Sequence, residues 1–204
     1  MYLSLRTIQL ELGRYFLHEG DYDPAIVALT KAIELDPDNL LAYDRRGIAH
    51  GRKYEYDDAI VDFTKAIEID DRYAGAYNNR ALSLYKKSML DEAITDYNKA
   101  IELSPDIAIF YANRGLAQYH KGEFAQAVSD YSKAIMLEPA DSETYNDRGE
   151  AYLELREYEK ASADFTQALA LKPNDITAYA NRASIVRPYE IDQANESRDT
   201  SFQL

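Results

Sequence analysis

Small, apolar and polar positions recur along this chain with helical spacing. Between 108 and 141, Tyr111, Arg114, Gly115 and Gln118 follow one another in steps of 3, 1 and 3, which is one face of a helix. Ala127, Tyr131, Ala134 and Leu137 follow in steps of 4, 3 and 3, which is a second face. Lys121-Gly122-Glu123 between them predicts a short turn. Pro139 ends the second helix, because proline lacks an N–H and disfavours helix in the residue before it. The segment therefore predicts a helix hairpin.

The same pattern returns at a fixed period. Tyr43, Tyr77, Tyr111, Tyr145 and Tyr179 are 34 residues apart, and three residues after each stands Arg46, Arg80, Arg114, Arg148 or Arg182. A very small residue comes next: Gly47, Ala81, Gly115, Gly149, Ala183. Sixteen after the tyrosine is Ala59, Ala93, Ala127 or Ala161; twenty after it is Phe63, Tyr97, Tyr131 or Phe165; twenty-three after it is Ala66, Ala100, Ala134 or Ala168. An earlier unit keeps Gly13, Ala25, Leu29, Ala32 and Pro37 but has Gln9 in the tyrosine's place. The repeats are 6–39, 40–73, 74–107, 108–141 and 142–175, followed by a capping helix, 176–187, that completes an array over 1–187. Residues 188–204 show no period and predict a mobile polar tail.

The small residues set the packing. Gly or Ala at these places lets two helix axes approach, and the large aromatic fills the space beside them. One hairpin of 34 residues cannot bury both its faces, so neighbours must stack. The expected fold is all-α, a right-handed α-solenoid of stacked antiparallel helix hairpins. Asp62, Asp96, Asp130 and Asp164 stand nineteen after each tyrosine, and the one full repeat without the arginine, with Leu12 there, has Ala28 where the others have this aspartate. That joint absence predicts an Arg–Asp pair between helices, since an arginine near a core needs a partner. The spacing leaves open whether the pair lies within a repeat or crosses to the next.

On these residues the chain resembles the tetratricopeptide repeat (TPR) family over about residues 6–187. It departs from the family pattern in two ways: Tyr stands for the usual Trp, and Arg for the usual Leu in every repeat but the first. The Tyr-x-x-Arg-Gly form is similar to a variant common in prokaryotic members. The resemblance implies a binding groove lined by the first helix of each repeat, at positions −2, +1, +2, +5, +8 and +9 from the tyrosine. Asn79 and Asn113 then form a ladder of amides able to hold an extended peptide backbone. The alternative is that they are solvated or bond a neighbouring helix. Ile48, Leu82, Leu116, Tyr85 and Tyr119 make an apolar strip suited to binding, or else to partial burial between helices. Arg14, Arg45, Arg52 and Lys86 lie toward the N-terminal half and Glu143, Asp147, Glu150 and Glu154 toward the C-terminal half, which would orient a ligand with an acidic and a basic end, or else is ordinary surface charge. The family's carboxylate clamp is not matched, for Leu10, Arg14, Arg45, Gly75 and Asn79 stand at its places.

Composition narrows the function. With 23 Lys+Arg against 36 Asp+Glu the 204-residue chain carries −13, which repels phosphate and makes nucleic acid an unsuitable partner. No apolar run approaches the roughly 18–20 residues that span a bilayer, and the start of the chain does not read as a signal peptide, so the default compartment is the cytoplasm. The absence of Cys removes disulfides and thiolate chemistry. His18, His50 and His120 form no metal-binding motif, and the eight glycines form no phosphate loop, so no enzyme activity, metal or cofactor is expected. The expected role is a scaffold or adaptor binding a protein or peptide. The alternatives are a self-associating scaffold, joined through its terminal helices, and the regulatory arm of an enzyme complex. Repeat 40–73, with Gly51 in its first helix and Asp71 in place of proline, is expected to be the weakest internal repeat.

Overall fold

The computed structural model describes residues 4–185. Residues 186 and 187 of the expected capping helix, and the expected tail 188–204, lie outside the described residues. Among the described residues there are eleven helices and no strand. The chain divides into two compact units, Met1–Asp106 and Ile107–Leu204. The first holds α1 (Leu5–Glu19), α2 (Tyr22–Leu35), α3 (Leu40–Arg52), α4 (Tyr56–Ile69), α5 (Ala74–Lys86) and α6 (Leu90–Leu103). The second holds α7 (Ala108–His120), α8 (Phe124–Leu137), α9 (Ser142–Glu154), α10 (Tyr158–Leu171) and α11 (Ile176–Ser184). In the first unit α1/α2, α3/α4 and α5/α6 pair as hairpins, and α2 packs on α3 as α4 does on α5. In the second, α7/α8 and α9/α10 pair, α8 packs on α9, and α10 packs on α11.

Local chemistry explains where the helices begin and turn. Asn39 caps α3 by accepting from the Ala42 N–H at 3.1 Å, and Asp175 caps α11 by accepting from Thr177 and Ala178. Every hairpin turn needs one residue in the left-handed region. These are Gly20, Tyr54, Ser88, Gly122 and Arg156, with φ of 83°, 64°, 62°, 83° and 60°. They too are 34 residues apart, so the turn is part of the repeat although only two of the five are glycine.

Packing follows the small-against-large scheme. Ala59, Ala93, Ala127 and Ala161 are fully buried, and Phe63, Tyr97, Tyr131 and Phe165 are at most 2% exposed. A Cβ added at Gly47 would come within 2.8 Å of the Phe63 ring, and one at Gly149 within 2.6 Å of the Phe165 ring. Those separations lie well inside van der Waals contact, so the close approach of first and second helix requires glycine there.

The arginines do more than the sequence indicates. Arg46 donates through Nε and Nη2 to both oxygens of Asp62, at 2.9 and 2.7 Å. Arg80 binds Asp96 and Arg148 binds Asp164 in the same bidentate way, and Arg114 donates to Asp130 at 2.6 Å twice. Each pair therefore lies within one repeat. The third nitrogen reaches backwards: Nη1 of Arg46 donates to Thr30, that of Arg80 to Thr64, and that of Arg148 to Ser132, each on the second helix of the preceding repeat. The tyrosine three residues before each guanidinium lies beneath it, with centroids 5.4–5.9 Å away. In repeats 40–73, 74–107 and 142–175 a buried aspartate is thus neutralised inside its hairpin by a cation that also bonds the preceding hairpin.

Candidate functional site

In the first unit α3 and α5 present successive first-helix faces. Between them opens a cleft of about 520 Å³. Five of the ten residues expected from sequence line it: Ile48, Arg52, Asn79, Leu82 and Lys86. Leu82 is 38% exposed and Ile48 is half-buried. The lining contains two cations and no carboxylate. Tyr22, Tyr54, Tyr56 and Phe63, from the second-helix side, complete it. Tyr54 and Tyr56 meet edge to face with centroids 6.3 Å apart, and Tyr54 is 79% exposed. The groove reading missed these tyrosines because it followed first helices only. Their signal was a tyrosine where the turn takes glycine in two other repeats.

Behind the cleft lies a polar knot between α3 and α5. The buried Asp44 carboxylate accepts from Asn79 Nδ2 at 3.0 Å and from the Tyr73 hydroxyl at 3.3 Å. Burial pushes its pKa up against those hydrogen bonds and the nearby Arg45 charge. The Tyr73 hydroxyl is pushed up to about 12 by burial and by Asp44. Asn79 also accepts from Asn78 at 3.3 Å, so both ends of its amide are engaged within the protein. Arg45, at the equivalent place one repeat earlier, is half-buried, and its Nε finds no hydrogen-bond partner. Tyr85 is half-buried with the Lys86 ammonium 5.4 Å above its ring centre.

In the second unit, Asn113, Leu116 and Tyr119 lie on α7 and are all half-buried. The Tyr119 ring packs on the core of Ala127, Tyr131 and Ala151 and edge to face on Phe124 at 5.4 Å, while its hydroxyl donates to Glu154. Next to it α9 gathers the acids expected from sequence. Desolvation, and then the charges of Glu150, Glu143 and Asp141, raise the Asp147 carboxyl to about 7. A hydrogen bond from Asn146 acts in the opposite direction. Asn181 on α11 donates to Asn146 at 3.1 Å and to Glu150 at 2.6 Å, which repeats the α3–α5 link of the first unit.

One further cluster carries metal-ligand types. Single atoms of His50, Glu55 and Asp58 lie within 4.8 Å of one another. Two of the three already have partners. His50 Nδ1 is 2.7 Å from Glu55, His50 Nε2 faces Asp62 at 4.0 Å, and Lys53 holds Glu55 at 2.6 Å. Among the described residues no helix is long and apolar enough to cross a membrane.

Comparisons with known proteins agree with the repeat. Family models described as TPR repeat and tetratricopeptide repeat match residues 7–39, 83–122, 108–141 and 142–175. A search of curated proteins found no match. Among solved structures, the MamA protein is 27% identical, with a TM-score of 0.73 over 83% of this chain and 92% of its own. A thermophilic TPR protein of Thermus thermophilus is 23% identical, with a TM-score of 0.69 over 89% of this chain and 98% of its own. YrrB, a TPR protein with an unusual peptide-binding site, is 19% identical, with a TM-score of 0.71 over 86% of this chain and 90% of its own.

Proposed function

The chain belongs to the tetratricopeptide repeat family, and we propose that it is a non-enzymatic interaction scaffold that holds a peptide or protein segment on its first-helix faces. The matching family models describe repeats and not a catalytic domain. The observation that carries the reading is the cleft between α3 and α5, where Ile48, Leu82, Asn79, Arg52 and Lys86 meet around one opening. Part of this surface is spare to the fold: Leu82 stays exposed, and Arg52 and Lys86 are exposed cations with no carboxylate in the lining, whereas Asn79 also links α3 to α5. Apolar contact supplies affinity, and the cations supply orientation. Asn113, Leu116 and Tyr119 of α7 are proposed to contribute in the second unit, with Arg45 and Tyr85 positioning their neighbours in the first.

The test is a pulldown from the source cells with the wild type and with a variant carrying Arg52→Glu and Lys86→Glu, both exposed positions. Proteins retained by the wild type are expected to be lost from the variant while its circular dichroism is unchanged. Equal retention would remove the cleft from the reading. A second reading, self-association, is favoured by one observation: Leu5, Ile8, Leu12 and Tyr15 form a stripe on α1 that is 56, 40, 39 and 58% exposed. Light scattering across concentration separates the two, since a strict monomer counts against assembly.

A further inference from the structure

Two residues of the α3–α5 cleft are poor choices for stability, and both choices open or line it. The first is Gly51. Eight residues after the repeat tyrosine the later repeats carry Tyr85, Tyr119 and Leu153, but here there is only hydrogen. Gly51 lies within α3, where glycine weakens a helix relative to alanine. Nothing compels it sterically, since a Cβ built there meets no atom within 4 Å. Gly47, Gly115 and Gly149, by contrast, are each crowded by a facing ring. What Gly51 leaves behind is the room of one large side chain in a position where two other repeats seat a tyrosine. The second is Tyr54, which holds φ at 64° in the turn where the other repeats place Gly20, Ser88, Gly122 and Arg156, and is the one large aromatic among the five. A bulky residue in the left-handed region is strained, and such strain gathers at ligand clamps. Its ring, 79% exposed, stands beside the Gly51 opening together with Tyr56.

Charge identifies what accompanies that side chain. The lining holds Arg52 and Lys86 and no acid, in a chain of net charge −13. The neighbouring ammonium groups that do have carboxylate partners are outside the lining: Lys53 pairs with Asp23 and Glu55, and Lys87 with Asp57. A partner bringing a carboxylate meets two cations that hold no carboxylate, Lys86 lying over the Tyr85 ring, and a partner bringing a cation meets repulsion.

We propose that this cleft is a specificity pocket, seating one aromatic side chain of a partner protein segment over Gly51, with an Asp or Glu no more than two residues from it held by Arg52 and Lys86. The proposal rests on the peptide-binding reading above and adds which residues the peptide must carry. The aromatic ring takes the room that Tyr85 and Tyr119 fill in their own repeats, against the edges of Tyr54, Tyr56 and Phe63. A volume of about 520 Å³ falls in the range of pre-formed ligand pockets and exceeds what one ring needs, so the flanking backbone lies beside Asn79 and Leu82.

The experiment is a selection of a displayed random peptide library on the full chain, with each enriched clone remeasured on Gly51→Tyr, Gly51→Ala and the double variant Arg52→Ala/Lys86→Ala. Expected clones pair Phe, Tyr or Trp with a nearby Asp or Glu. They lose about tenfold or more in affinity on Gly51→Tyr, which fills the opening, and about tenfold on the double variant, and they change less than about twofold on Gly51→Ala. Clones that bind wild type and Gly51→Tyr alike would overturn the pocket while leaving peptide binding in place. Gly51→Tyr-sensitive clones lacking an aromatic or an acid would also overturn it. A library that yields no clone above background would defeat the peptide-binding reading itself, and the pocket with it. If Gly51→Tyr fails to fold, Tyr54→Gly replaces it, with the same tenfold loss expected; an unchanged affinity there overturns the pocket.

Discussion

Replacing Arg80 with leucine strands the Asp96 carboxylate, whose side chain is only 10% exposed, without the cation that balances its charge. Arg80 gives Asp96 two bonds of 2.7 and 2.8 Å and Thr64 of the preceding repeat a third of 3.2 Å, and its guanidinium lies 5.7 Å from the Tyr77 ring centre. Removing one member of a buried ion pair costs about 3–5 kcal/mol. The first repeat shows the apolar alternative, since it has Leu12 and Ala28 at the two places and still packs. The double variant Arg80→Leu/Asp96→Ala therefore copies a solution the chain already contains. Its cost reduces to the lost Thr64 bond and the lost cation–ring contact, about 1–2 kcal/mol together. A double-mutant cycle from urea unfolding followed by circular dichroism should show both that the double variant is more stable than Arg80→Leu alone and that the coupling is about 2 kcal/mol or more. Thr64→Val should cost about 0.5–1.5 kcal/mol and isolate the link between repeats. Simple additivity, with the double variant the least stable of all, would refute the assignment of the pair as a buried and mutually dependent unit.

Gly51→Ala should stabilise the protein by about 0.5–1 kcal/mol, because the new Cβ meets nothing, while Gly47→Ala four residues earlier should destabilise it by about 1–3 kcal/mol against the Phe63 ring; thermal melts of the two variants decide. Ala127→Leu should cost about 1–3 kcal/mol by overpacking a fully buried place beside Tyr131, measured in the same way. Asp147, near 3.8 when unfolded and raised to about 7 when folded, makes the native state the better proton binder between those values. Stability from this group is therefore full below about pH 4 and declines as pH rises to about 7, and Asp147→Asn should flatten that part of the stability profile in urea titrations at several pH values.

The hairpins were legible because a repeat multiplies its own signal. The same small residues at the same offsets, and the loss of Arg and Asp together in the first repeat, point to close helix pairs and an ion pair from spacing alone. What escaped is the partner that makes no rule on its own. Thr30, Thr64 and Ser132 look like ordinary surface hydroxyls, and only the direction of Nη1 shows that each ties two repeats together. The left-handed turn escaped for a different reason. Ser88, Tyr54 and Arg156 share the left-handed backbone of Gly20 and Gly122, so geometry repeats where residue type does not.

The binding face was legible only in part, and the reason is physical. Position along a first helix places Leu82 and Lys86 on the cleft, but it also places Tyr119, whose ring packs on a core cluster, and Asn79, whose amide is engaged by Asp44 and Asn78. Spacing reports a direction from the helix axis and says nothing of what the neighbouring helix puts in front of it. A better guide is departure from the period in the direction of lower stability. Selection for folding favours a side chain at Gly51, as at Tyr85 and Tyr119, and favours glycine at Tyr54, as at Gly20 and Gly122. Ser88 and Arg156 share the left-handed backbone of Tyr54, but only this repeat joins a large aromatic in the turn to a glycine in place of the first-helix side chain, and both residues line one opening. The glycine at Gly51 is the loss that no other repeat shares, and a cleft with two cations and no carboxylate gains from it only when it is occupied.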